Sequence, residues 1–123
     1  MMIRFKYNQE LEMLEVTYSG NITLQELIGF GEQVYSDSSL PRNLKILTDV
    51  TNANYEISPD EFSELKRNLE RHISAFDSVK AAYVHSKPKE TAYSYIISQE
   101  NSIPNYKRGV FSTIPAARNW LLG

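Results

Sequence analysis

The chain opens on strict alternation. Ile3, Phe5 and Tyr7 interleave with Arg4 and Lys6, and Leu14, Val16 and Tyr18 interleave with Glu15, Thr17 and Ser19. A period of two with one polar side predicts strands over 2–8 and 11–19, paired as an antiparallel hairpin at a sheet edge around a tight turn at Asn8-Gln9-Glu10. Gly20-Asn21 is expected to end the second strand. The apolar spacing then changes to three and four. Thr23 with Glu26 makes a capping box, and Leu24, Leu27, Ile28 and Val34 form the stripe of a helix that stops near Ser36-Asp37-Ser38-Ser39, before Pro41. The stretch from Leu44 to Val50 is largely apolar on both sides, as a central strand covered by helices should be. Thr51-Asn52-Ala53-Asn54 is read as a polar loop. Ser58-Pro59-Asp60-Glu61 is the clearest helix start, with Ser58 as N-cap, Pro59 at the first helical position and Glu61 completing a box. Phe62, Leu65, Leu69, Ile73 and Phe76 follow on one face. A strand is predicted from Lys80 to His85 and a helix from Glu90 to Gln99. The last strand runs from Tyr106 to Ser112, and Thr113 caps a terminal helix that carries Ala117, Trp120 and Leu121. Trp120 is expected to plug the core where that helix meets the sheet.

The order is therefore ββαβαβαβα, which argues for the α/β class. The expected architecture is a mixed, mainly parallel five-stranded sheet with an N-terminal antiparallel hairpin, right-handed crossovers and helices packed on it. No repeat or linker interrupts it, so residues 1–123 are read as one domain.

Composition narrows the function more than it defines it. With 41% hydrophobic and 23% charged residues the chain has the make-up of an ordinary globular domain. A net charge of −2 without a basic block disfavours nucleic acid as a partner. No apolar run approaches the roughly 20 residues of a membrane span. The N-terminus resembles an amphipathic strand and not a secretory signal, which makes the cytoplasm the expected location. The absence of cysteine excludes disulfides, thiolate catalysis and cysteine metal sites.

The residues that could carry chemistry are few. His72 and His85 show no metal-ligand spacing and are read as solvated or locally hydrogen-bonded. There is no nucleophile elbow. Gly29-Phe30-Gly31 lies inside a helix, where it cannot serve as a phosphate loop; its glycines are expected to let a strand approach closely. No catalytic residue, metal or cofactor is therefore assigned. Asp49 stands near the carboxyl end of a central strand, where ligands bind in open α/β sheets. With Thr51, Asn52 and Asn54 it forms either a docking loop or an Asx-type turn that satisfies the local backbone. Ser58 is either simply a cap or also a phosphosite at a helix N-terminus. Phe62, Phe76, Tyr93 and Tyr106 are candidate lining for a pocket between helices and sheet.

The closing segment, Gly109-Val110-Phe111-Ser112-Thr113-Ile114-Pro115-Ala116-Ala117-Arg118-Asn119-Trp120-Leu121-Leu122, resembles the end of STAS-type domains. Ile46-Leu47-Thr48-Asp49 before the Ser58 helix fits the same pattern, as does Gly20-Asn21-Ile22-Thr23 after the opening hairpin. The resemblance is to the SpoIIAA-like branch, described together with CRAL-TRIO lipid-binding folds, and it spans essentially the whole chain. It implies a non-catalytic regulatory module that binds a protein partner. The alternative it implies is a carrier or sensor of a small apolar, lipid-like ligand. The anti-sigma-factor antagonists of that group carry a phosphorylated serine in an Asp-Ser-Ser-Gly motif at the start of the long helix. Ser58 falls at that place, but the Asp, the second Ser and the Gly are missing. An enzyme using Asp49 as general base remains a third alternative. The exposed edge of the first hairpin leaves a homodimer open, with Arg4 and Lys6 equally placed to prevent it.

Overall fold

The hairpin forms where the alternation places it. In the computed structural model, which describes residues 2–87 and 103–123, strand β1 (Met2–Asn8) pairs antiparallel with β2 (Met13–Thr23). Ile3 stands opposite Tyr18, Phe5 opposite Val16 and Tyr7 opposite Leu14, so all six share one face. Asn8 Oδ1 accepts the Leu11 amide at 3.0 Å and tightens the connecting turn. Helix α1 (Leu24–Tyr35) follows, its N-cap Thr23 side chain accepting the Glu26 amide. Then come β3 (Asn43–Glu56), α2 (Pro59–Ile73), β4 (Ser78–Val84), β5 (Tyr106–Phe111) and α3 (Ile114–Leu122). The helix predicted over 90–99 lies outside the described residues.

The five strands lie side by side in chain order, β1-β2-β3-β4-β5, antiparallel at the first pair and parallel thereafter. Successive right-handed crossovers that always step the same way leave their helices on the same side of a sheet. Here α1 and α2 pack together over one face. Their apolar stripes, with Val34, Phe62 and Ile73, meet Leu14, Val16, Ile46 and Ala81 from the strands. The opposite face is covered by α3, whose Ala117 and Leu121 rest on Met13, Leu47, Ala82 and Val84. Among the described residues no helix is long and apolar enough to cross a membrane.

Four expectations need correction. β2 does not end at Gly20-Asn21; Gly20 takes a positive φ of 75° and the strand continues to Thr23. Nor is 51–54 a loop, because β3 runs on to Glu56 with Asn52 opposite Ser19 and Asn54 opposite Asn21. The sequence hides this continuation behind a bulge. Between the pairs Thr17–Asp49 and Ser19–Asn52, β3 carries two residues, Val50 and Thr51, against the single Tyr18 of β2. The extra residue shifts the alternation so that Ala53, Tyr55 and Ile57 are buried and Asn52, Asn54 and Glu56 exposed. Trp120 is not the core plug. It is half-buried, tilted against Phe111 at 5.4 Å with the Lys80 ammonium 4.5 Å from its ring centroid, while its neighbour Leu121 is 1% exposed. Finally, Gly31 faces α2 and not a strand: a Cβ there would stand 3.6 Å from Asn68 Oδ1.

Candidate functional site

A cavity of about 80 Å³ lies between the α1–α2 layer and the sheet. Its origin can be traced to single residues. On α1 the row Leu27, Gly31, Tyr35 points at the sheet and at α2, and the glycine in the middle of that row leaves a gap where a side chain would otherwise pack. Phe30 from α1, with Phe62, Leu65, Lys66 and Leu69 from α2, completes the walls.

The floor is made by alternate residues of four strands. Tyr18 comes from β2, Tyr55 from β3, Tyr83 from β4, and Tyr106 and Arg108 from β5. Period two puts Tyr106 and Arg108 in the same inward row, and Arg108 stands opposite Ala81. The small alanine leaves room for the guanidinium, which lies 3.7 Å from the centre of the Tyr83 ring. Its Nη1 is 3.4 Å from the Tyr106 hydroxyl.

The electrostatics follow from this enclosure. Burial pushes the Tyr18, Tyr35 and Tyr106 phenols up, so they stay neutral near neutral pH. Burial opposes the Arg108 charge, but the Tyr83, Tyr106 and Tyr55 hydroxyls around it favour the charge and the balance is upward. His85 packs behind the floor, stacked on Tyr83 at 6.4 Å and edge-on to Tyr55 at 5.8 Å. Burial, with the Arg108 charge adding to it, pulls its imidazole down to about 4. Both its ring nitrogens lack a hydrogen-bond partner among the described residues. Phenols held neutral and a guanidinium held charged do not shuttle protons near neutral pH, so this floor is suited to binding through hydrogen bonds and charge.

The candidate residues fall into two groups. Phe62 and Tyr106 line the cavity. Phe76 does not; it packs edge-on against Tyr35 at 5.8 Å, under the Arg42 guanidinium at 4.2 Å. Tyr93 lies outside the described residues. Asp49 points to the other face of the sheet, in the row Thr17, Asp49, Val84. Its Oδ1 accepts the Thr51 amide at 3.0 Å and the Thr51 hydroxyl at 2.7 Å, so the carboxylate clamps the bulge. The rule that ligands bind where strand order reverses has no purchase here, because this order never reverses. The Asn52 side chain is exposed. Asn54 Nδ2 donates to Asn21 Oδ1 at 3.5 Å, and its own Oδ1 accepts from Lys87 Nζ at 3.0 Å. Ser58 is exposed, its amide donating to Glu61 Oε1 at 2.8 Å and its hydroxyl to the same oxygen at 3.3 Å. None of Asp49, Thr51, Asn52, Asn54 and Ser58 lines the cavity.

A sheet in chain order with an antiparallel first hairpin, two helices over one face and a terminal helix under the other is the SpoIIAA-like fold. The chain is similar to a solved protein of that fold, the crystal structure of an uncharacterised DUF3478-family protein from Shewanella loihica PV-4. That match has a TM-score of 0.62 at 17% identity and covers 98% of this chain and 92% of that one. No family model and no curated protein matches the sequence.

Proposed function

We propose that the protein is a non-catalytic binding module of STAS type that holds a small, partly apolar ligand between its helix layer and its sheet. The cavity carries this reading. It is about 80 Å³ in volume and walled by Leu27, Phe30, Phe62 and Leu69, with a floor of phenols around one guanidinium. A buried water needs about 10–15 Å³ of such space, and an engineered cavity of ~150 Å³ holds benzene. The space therefore suits a compact molecule whose bulk is shared between the hollow and the cleft between α1 and α2. Amide NMR with a panel of ring-sized compounds tests it. Shifts should cluster on the α1 and α2 walls and on the tyrosine floor, and Gly31→Leu, which fills the hollow, should abolish them while the spectrum stays dispersed. Scattered shifts, or shifts that survive Gly31→Leu, would sink the reading.

Regulation through a protein partner is the second reading. Exposure of Asn52, Asn54 and Ser58 along one polar ridge supports it. A phosphate on Ser58 would lie against the Glu61 carboxylate and would have to displace it from the Ser58 amide. If a partner captured from native extract is retained equally by an Asn52→Arg, Asn54→Arg double variant, that ridge is not the docking surface.

A further inference from the structure

We propose that the free edge of β1 is a docking strand for an extended protein segment in which apolar residues alternate with Asp or Glu, added to the sheet as a sixth strand. No residue of β1 lines the cavity, so this surface stands or falls apart from the ligand site.

β1 closes one side of the sheet, and among the described residues no strand pairs with its outer edge. The outward N–H and C=O groups of such a strand are a template for another chain, and proteins commonly blunt the edge by shortening it, bulging it or placing proline on it. β1 does none of these: it is seven residues long, carries no proline and pairs with β2 in unbroken register. Its two rows differ in chemistry. Ile3, Phe5 and Tyr7 form a partly exposed apolar row, with Phe5 37% exposed and edge-on to Phe30 at 5.4 Å. On the other face Arg4 and Lys6 are exposed. Among the described residues neither meets a carboxylate. Arg4 Nε donates to the Met2 sulfur at 2.8 Å, and Glu15, opposite Lys6, accepts instead from Asn8 Nδ2 at 3.3 Å.

These two cations select the partner. Directly opposed residues of an antiparallel pair share a face, and like charges there are destabilising. A two-fold pairing of β1 with a second copy, centred on Phe5, sets Arg4 against Lys6. Centred on Arg4 or on Lys6, it sets that cation against itself. The registers in between set the cations against the apolar row. The edge is therefore closed to its own kind and open to acids. A strand with carboxylates opposite Arg4 and Lys6 gains two opposite-charge pairs, and its apolar residues extend the row of Ile3, Phe5 and Tyr7. Main-chain hydrogen bonds supply the affinity of such an added strand and the alternate side chains its selectivity.

The probes are three end-blocked peptides, Ser-Val-X-Val-X-Val-Ser with X as Glu, Gln or Lys, which read the same both ways and so fit either strand direction. Each is titrated into the full chain at low ionic strength and followed by amide NMR. The Glu peptide should bind about twofold to thirtyfold more tightly than the Gln peptide, the sum of two opposite-charge cross-strand pairs, and the Lys peptide should bind most weakly. The shifts should lie along β1 and slow the exchange of its amides. An Arg4→Glu, Lys6→Glu double variant should invert the ranking, with the Lys peptide tightest; if that variant fails to fold, the wild-type ranking and the place of the shifts decide. Equal binding of the three, no binding of any, shifts away from β1, or a ranking unchanged in the double variant would overturn the proposal. So would a wild-type dimer in sedimentation whose β1 amides are already protected, because a second copy would then hold the edge. None of these results touches the reading of the cavity.

Discussion

Lowering the pH from about 7.5 to about 4.5 should weaken the wild-type protein more than a His85→Phe variant. In the folded chain the His85 imidazole sits at about 4, held down by burial and by the Arg108 charge; in an unfolded chain it titrates near 6.5. The unfolded state therefore takes up a proton that the folded state refuses. Stability from this residue is complete above about pH 6.5 and drains away as the pH falls toward about 4. The gap is worth about 3 kcal/mol when fully expressed, and about 2 kcal/mol once some solvent screening is allowed. His85 is 2% exposed. Phenylalanine keeps a ring between Tyr55 and Tyr83 and cannot titrate. Every other acid-sensitive group is common to the two proteins and cancels in the comparison. Urea unfolding at stepped pH should show two stability curves that run parallel above about pH 7 and diverge below about pH 6.5, with the wild type falling further by about 2 kcal/mol. Curves that stay parallel down to about pH 4.5 would refute the argument that this side chain is dry, neutral and next to the Arg108 charge.

Three further outcomes can be checked by the same unfolding measurements. Gly29 has no atom within 4 Å of where a Cβ would sit, so Gly29→Ala should stabilise α1 by about 0.5–1 kcal/mol; a loss would mean that this face of the helix is covered. Asp49→Ala should lose about 1–2 kcal/mol by freeing the Thr51 amide and hydroxyl at the bulge, and Asp49→Asn, which keeps an acceptor, should lose less. Leu121→Ala should lose about 3 kcal/mol by opening a hole under α3, against about 1–2 kcal/mol for the half-buried Trp120→Ala; the reverse ranking would put the tryptophan in the core after all.

Much of the architecture was legible because period and capping are local signals. The hairpin register follows from Ile3, Phe5 and Tyr7 meeting Leu14, Val16 and Tyr18, and both caps, Thr23 and Ser58, stand at helix starts. The continuation of β3 was lost because a single extra residue at Val50-Thr51 resets the alternation, and Asn52 and Asn54 then resemble a loop. Beyond the bulge, however, Ala53, Tyr55 and Ile57 still alternate with Asn54 and Glu56, and that was the available clue. Tyr106 was a candidate from the sequence and Arg108 was not, although period two carries both to the same side of one strand. An arginine in an inward row runs against the expectation that charge faces water, and that conflict is itself the signal. Tyr18, Tyr35, Tyr55 and Tyr83 could not be grouped in advance. They belong to four different elements, and only the strand order brings them together.

That order has a consequence for how the molecule is made. A sheet whose strands stand in the sequence in which they leave the ribosome never has to reserve a gap for a later strand. Each new strand can dock on the edge left by the one before it, beginning with a hairpin that needs no crossover. Synthesis at about 5–20 residues per second leaves seconds between successive strands, long compared with the microseconds in which a hairpin closes. The nascent chain can therefore grow its sheet in one direction, like courses laid on a wall, with β5 and the arginine it carries arriving last to finish the floor of the cavity.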